Sequence, residues 1–109
     1  MDFNNYQHSA RATAIYPNLG ENLWYPTLGL CGESGEVAEK VKKIYRDKSG
    51  NIDTETKSLL IKELGDVLWY VANIASELKV DLDKIAEVNL VKLSLRKQEN
   101  KIHGSGDNR

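Results

Sequence analysis

Glu33-Ser34-Gly35-Glu36 and Glu63-Leu64-Gly65-Asp66 are the segments of this 109-residue chain best equipped for chemistry. Each places two carboxylates at i and i+3, so on a helix their Cβ atoms lie about 5–6 Å apart on one face. Oxygen-only donors select hard divalent ions such as Mg2+ or Mn2+. In a helical bundle, a pair at this spacing binds one ion or bridges two. Four such groups brought together without a counter-charge repel and raise one another's pKa, a conflict that a divalent cation resolves. A single Glu-x-x-Glu is ordinarily solvated helix surface. Two pairs at matching positions on consecutive helices weigh against that reading. Di-iron chemistry is a poor fit, because it takes a Glu-x-x-His pair from each of two helices. His8 and His103 lie near the ends of the sequence, neither follows a glutamate by three, and both read as exposed polar residues.

The periodicity supplies the scaffold for these groups. Leu60, Leu64, Val67, Val71, Ala75 and Leu78 recur at steps of three and four, widened by Leu68 and Ile74, which predicts a helix over 54–78. Glu63 falls roughly 70° from the centre of that stripe. Glu33 lies about 75° from the stripe of Leu30, Val37, Val41 and Ile44 on a helix predicted over 27–45. Both acidic pairs therefore sit at the margin of a face that must be buried. If the two helices pack antiparallel, their four carboxylates converge at the edge of the core.

A short helix over 3–15 is stopped by Tyr16-Pro17-Asn18, because the residue before proline avoids the α region. Pro26 suits the first turn of the second helix. Asp47-Lys48-Ser49-Gly50-Asn51 reads as a loop, and Asp81 as the N-cap of a fourth helix over 81–98. The segment 99–109, ending Gly104-Ser105-Gly106-Asp107-Asn108-Arg109, reads as a non-helical tail. The sum is one domain over 1–109, an all-α antiparallel bundle of about four helices. So few helices cannot cover all their own apolar faces, which predicts a homo-oligomer, a dimer at least.

With 15 basic and 16 acidic side chains the net charge is −1, against a broad nucleic-acid footprint. Nowhere do 18 apolar residues run together, so no membrane span is expected, and no secretory signal is visible at the first residues. One cysteine, Cys31, excludes an internal disulfide and a zinc site built from four cysteines, and a reducing, cytoplasmic setting follows. Cys31 lies in a small-residue run with Gly29, Gly32, Ser34 and Gly35. Glycine costs helix stability, so a close helix contact is the expected compensation.

Asn89, Lys92 and Arg96 fall on one face of the fourth helix, which is either ordinary solvated surface or a place where an amide and two cations hold phosphates. Tyr70 follows Asp66 by four and shares its face, either offering its hydroxyl to a phosphate or packing as a core aromatic with a wet tip. Trp24, beside Tyr25, is a surface on which a base can stack. Lys40 and Lys43 read as surface charges.

The run Leu28-Gly29-Leu30-Cys31-Gly32-Glu33-Ser34-Gly35-Glu36-Val37-Ala38-Glu39, followed by Lys62-Glu63-Leu64-Gly65-Asp66-Val67-Leu68-Trp69-Tyr70, resembles the MazG-type all-α nucleoside triphosphate pyrophosphohydrolases. Their pattern is an ExxE helix, a spacer and an ExxD helix. Asn89 to Leu93 and Arg96 fit the family's phosphate-contacting segment, and the likeness covers about residues 23 to 97. The resemblance implies hydrolysis of a nucleoside triphosphate between the α- and β-phosphates, to a monophosphate and pyrophosphate, in nucleotide-pool housekeeping or supply. It implies Mg2+, with Mn2+ as a substitute, held by Glu33, Glu36, Glu63 and Asp66. Glu33 or Glu36 would orient the water, and a tetramer becomes reasonable. Many members carry a further acid directly after the second glutamate, where this chain has Val37, so the number of ions is open. Two alternatives stand beside this reading: a non-catalytic helical interaction module, and a phosphoribosyl-ATP pyrophosphohydrolase of the same superfamily.

Overall fold

A computed structural model describes residues 1–100 and 104–107. Among them are four helices and no strand: α1 (Phe3–Ala12), α2 (Trp24–Lys48), α3 (Thr54–Glu77) and α4 (Leu82–Gln98). The all-α bundle expected from the periodicity is the observed fold.

Helix boundaries shift from the expected ones for identifiable reasons. Asp2 caps α1 by accepting the Asn5 N–H at 2.8 Å. That helix stops at Ala12 rather than Ile15, where the Thr13 hydroxyl donates to the Ala10 carbonyl one turn back and accepts the indole N–H of the distant Trp69. α2 begins three residues before the expected start. Leu23 stands at its cap position without a side-chain cap bond, and the Asn22 side chain, one residue earlier, accepts the Tyr25 N–H at 3.0 Å, with Pro26 tolerated in the first turn. Asp53 caps α3 through the Thr56 N–H. Asp81 occupies the cap position of α4 without a side-chain cap bond. The free amides there are taken from a distance instead: Gln7 accepts from Leu82 at 2.7 Å and Asn4 from Asp83 at 3.2 Å.

α2 and α3 form an antiparallel hairpin, the most extensive packing in the molecule. Its register is read from Lys48 against Thr56, Lys40 against Glu63 and Gly29 against Tyr70. α1 lies against the C-terminal half of α3, and α4 touches only α1 and α3. The central buried cluster is small: Ala10, Ala72 and Leu82, with Tyr6, Trp69 and Val71 packed around them.

Much of the apolar surface stays uncovered. Leu64, at the centre of the α3 stripe, is 54% exposed, and Leu28, Ile61, Val88, Leu90, Val91 and Leu95 are more than half exposed. The accessible surface is 8070 Å2, against about 6,100 Å2 for a compact monomer of this mass. The radius of gyration is 16.7 Å, against about 13 Å for a compact chain of this length.

Loop 13–23 is pinned to α3 by one carboxylate. Glu77 accepts from the Arg11 guanidinium at 2.7 Å, the Tyr16 hydroxyl at 2.6 Å, and the backbone N–H groups of Gly20 at 2.9 Å and Asn22 at 2.6 Å. Its side chain is 1% exposed. Burial by itself would raise its pKa, but the donors from Tyr16, Asn22, Arg11 and Gly20 outweigh it and hold the group at about 2. Asn73, fully buried, braces the arrangement by accepting from Arg11 and donating to the Trp69 carbonyl.

Candidate active site

The α2–α3 hairpin sets its two acidic pairs opposite one another. Glu33, Glu63 and Asp66 each bring a carboxylate oxygen within 4.8 Å of the others. Glu33 and Glu63 are half-buried and Asp66 is exposed. Glu36, one turn along α2, is exposed and lies outside this close trio, although its charge still acts on Glu33. Burial first, then the charge of Asp66, a hydrogen bond with Glu63 and the charges of Glu63 and Glu36 push the Glu33 pKa up. That is the signature of like charges crowded at the edge of a core.

Lys40 Nζ lies 3.3 Å from Glu63 Oε1 and supplies a single positive charge to this crowd. It is a partner of the acidic group rather than the plain surface charge expected of it. A signal is present in the sequence: Lys40 follows Glu36 by four and Glu33 by seven, the helical spacing that puts it on their face.

Tyr70 stands beside the carboxylates. Its phenol pKa is raised by burial first, then by the charges of Tyr25, Glu33 and Asp66. The ring meets Trp69 edge-on at 5.0 Å and lies over Gly29, where any Cβ would collide with it. The close helix contact expected of the small-residue run is therefore made by Gly29. Gly32 and Gly35 face open space, so no contact within the described residues accounts for them. Trp24 is 72% exposed on the first turn of α2, and Tyr25 stacks on Tyr16 at 4.8 Å.

The α4 residues stand apart from this group. α4 makes no contact with α2. Among the described residues no hydrogen bond or ion pair joins Asn89, Lys92 or Arg96 to the carboxylates. Asn89 and Lys92 line a shallow cleft with Val88. Lys92 and the buried Arg96 both bind Asp107 of the tail, at 2.9 and 3.1 Å. The tail thus has a packing role that the sequence did not reveal. Arg109 and His103 lie outside the described residues. His8 is exposed on α1, and Cys31 is free and exposed. No described helix is long and apolar enough to cross a membrane.

Carboxylates converging from two helices, with too little positive charge to balance them, form a donor set able to hold a divalent cation. Comparisons with known proteins bear on the same region. The chain is 52% identical to the Gene 37 protein of Mycobacterium phage L5, in an alignment of 114 residues spanning the whole of both chains. No solved structure matches. The model of the MazG nucleotide pyrophosphohydrolase domain matches residues 26–100, a stretch that contains both acidic motifs, Tyr70 and all of α4. With more than half of its length matched and the two carboxylate helices paired as described, this chain belongs to the MazG nucleotide pyrophosphohydrolase family.

Proposed function

We propose that this protein hydrolyses nucleoside triphosphates, ribo- or deoxyribo-, between the α- and β-phosphates, releasing the monophosphate and pyrophosphate. The observation that carries the reading is the approach of Glu33, Glu63 and Asp66 to within 4.8 Å across the α2–α3 hairpin, inside the matched family region. Three carboxylates and one lysine leave a net negative pocket that rejects a triphosphate unless a cation intervenes. The donor chemistry fits Mg2+, with Mn2+ as a substitute, held by Glu33, Glu63 and Asp66 with Glu36 one turn away. When bound, the cation neutralises the phosphate oxygens and makes water a better nucleophile.

The chain's own groups do the rest. Glu36 lies outside the close trio, so its carboxylate is available to orient the attacking water in line with the scissile bond, with Glu33 beside it. The Tyr70 hydroxyl stays protonated, because burial and the nearby carboxylates raise its pKa, and it can donate to a phosphate oxygen. Trp24 offers an open ring face to a base. Asn89, Lys92 and Arg96 sit on an arm that no helix of the same chain closes over α2. Their use on phosphate calls for a second copy.

The active form in this reading is a homo-oligomer, a dimer at least and by family likeness a tetramer. The surface excess of about 2,000 Å2 over a compact monomer matches what a permanent interface buries. The unpaired, exposed Cys31 and a nucleotide substrate suit a reducing, cytoplasmic setting.

The test is incubation with Mg2+ and a panel of nucleoside triphosphates, separating the products. Monophosphate plus pyrophosphate is expected, and orthophosphate as the product rejects the reading. A non-catalytic helical interaction module draws on the same exposed apolar faces. It predicts no turnover and no change in melting temperature with Mg2+.

A further inference from the structure

The hairpin groove does not end at the carboxylates. Lys40 touches Glu63 on one side and on the other lines a cleft of about 330 Å3 between α2 and α3, shared with Lys43, Ile44, Lys48, Thr56 and Leu59. Three ammonium groups lie along this cleft beside the acidic site, over the apolar Ile44 and Leu59, and clefts lined by one sign of charge focus the field on anions. Asp47, at the same cleft, is held by both nitrogens of the Arg46 fork at 2.7 and 2.9 Å. Lys48 donates to the Thr56 hydroxyl at 2.8 Å and faces Asp53 at 3.5 Å. Lys43 has no hydrogen bond or ion pair among the described residues.

We propose that this cleft is the subsite for the phosphates beyond the scissile bond, and for the pyrophosphate that leaves. The proposal rests on the pyrophosphohydrolase reading above and names where the leaving group lies. Lys40 marks the boundary. It lies 3.3 Å from Glu63, and its long stem would let it reach the phosphate chain where a cation would engage that carboxylate. Lys43, about 4.5 Å further along the helix axis, meets the next phosphate. Ammonium groups suit this role as compact point charges on long stems. The α4 cations are less suited within one chain, because α4 does not reach α2 and Lys92 and Arg96 already share the Asp107 carboxylate.

The test titrates inorganic pyrophosphate into the full chain with Mg2+ by calorimetry, for wild type, Lys43→Ala and Lys42→Ala. Lys42 carries the same charge, pairs among the described residues only with Glu39, and lies outside the cleft. Lys43→Ala should weaken pyrophosphate binding and raise the nucleotide KM by about tenfold, as for one lost charge-assisted hydrogen bond. Lys42→Ala should change neither constant. Equal pyrophosphate affinity in the two variants, from a wild type that hydrolyses nucleotides, overturns the subsite and leaves the activity standing. A wild type that neither hydrolyses nucleoside triphosphates nor binds pyrophosphate overturns both.

Discussion

Arg11 on α1 and Glu77 at the end of α3 are 66 residues apart in sequence and 2.7 Å apart in space. The pair fastens α1 and the loop before α2 to the helix that carries Glu63 and Asp66. Breaking a buried charge pair from one side strands its partners. Glu77→Gln should therefore lower stability by about 2–4 kcal/mol, read by chemical denaturation with circular dichroism.

The same carboxylate sets an acid limit. Its folded pKa of about 2 lies below the ordinary value of 4.5, so the stability it contributes is complete above about pH 5. That contribution, on the order of 3 kcal/mol, drains away as the pH falls from about 5 toward 2. Melting curves of wild type and Glu77→Gln should converge on acidification across that window. A difference that stays constant with pH would show that the shift does not exist.

Asp66→Asn should separate function from stability. Removing one charge from the crowd relieves Glu33, so without metal the variant should melt at the wild-type temperature or gain up to about 1 kcal/mol. An amide is a poor Mg2+ ligand, so turnover should fall by several orders of magnitude. Metal that binds only the folded state adds about 2.7 kcal/mol at a hundredfold excess over Kd, and the variant should lose most of that increment. Melting in EDTA and in Mg2+, beside a pyrophosphate-release assay, reads all three. Retention of both the Mg2+ response and the activity removes Asp66 from the site.

Gly29→Ala pushes a methyl group into the Tyr70 ring. The cost should be about 1–3 kcal/mol, as for other overpacked contacts, and the displaced ring should lower kcat/KM as well. Gly35→Ala meets only open space within the chain. It should gain about 0.5–1 kcal/mol from helix propensity. A loss there, with a fall in assembled mass, would locate a second copy on that face.

Leu64→Glu places a charge on the exposed centre of the α3 stripe. Light scattering after gel filtration should show an assembled wild type and a variant shifted to the single-chain mass. A wild type that is monomeric at micromolar concentration would show that the apolar faces are not subunit interfaces.

The helices and the two acidic faces are legible in the residue order alone, because both are local. An apolar residue every three or four positions and a carboxylate pair at i, i+3 follow from 100° per residue, whatever the rest of the chain does. Non-local relationships waited for the fold. The register of α2 on α3 decides that Glu33, Glu63 and Asp66 meet while Glu36 stands aside, and that Lys40 rather than a distant cation answers Glu63. Glu77 reads in sequence as one more polar residue near a helix end. Only the return of Arg11, Tyr16, Gly20 and Asn22 buries it. The start of α4 is satisfied by Gln7 and Asn4 of α1, a service no local pattern records. Lys92 and Arg96 share a face by spacing alone, but the tertiary fold gives them Asp107 in place of the carboxylate site. Hydrogen bonds and ion pairs between residues far apart in the chain depend on how helices dock, and docking is set by shape and burial that periodicity does not encode.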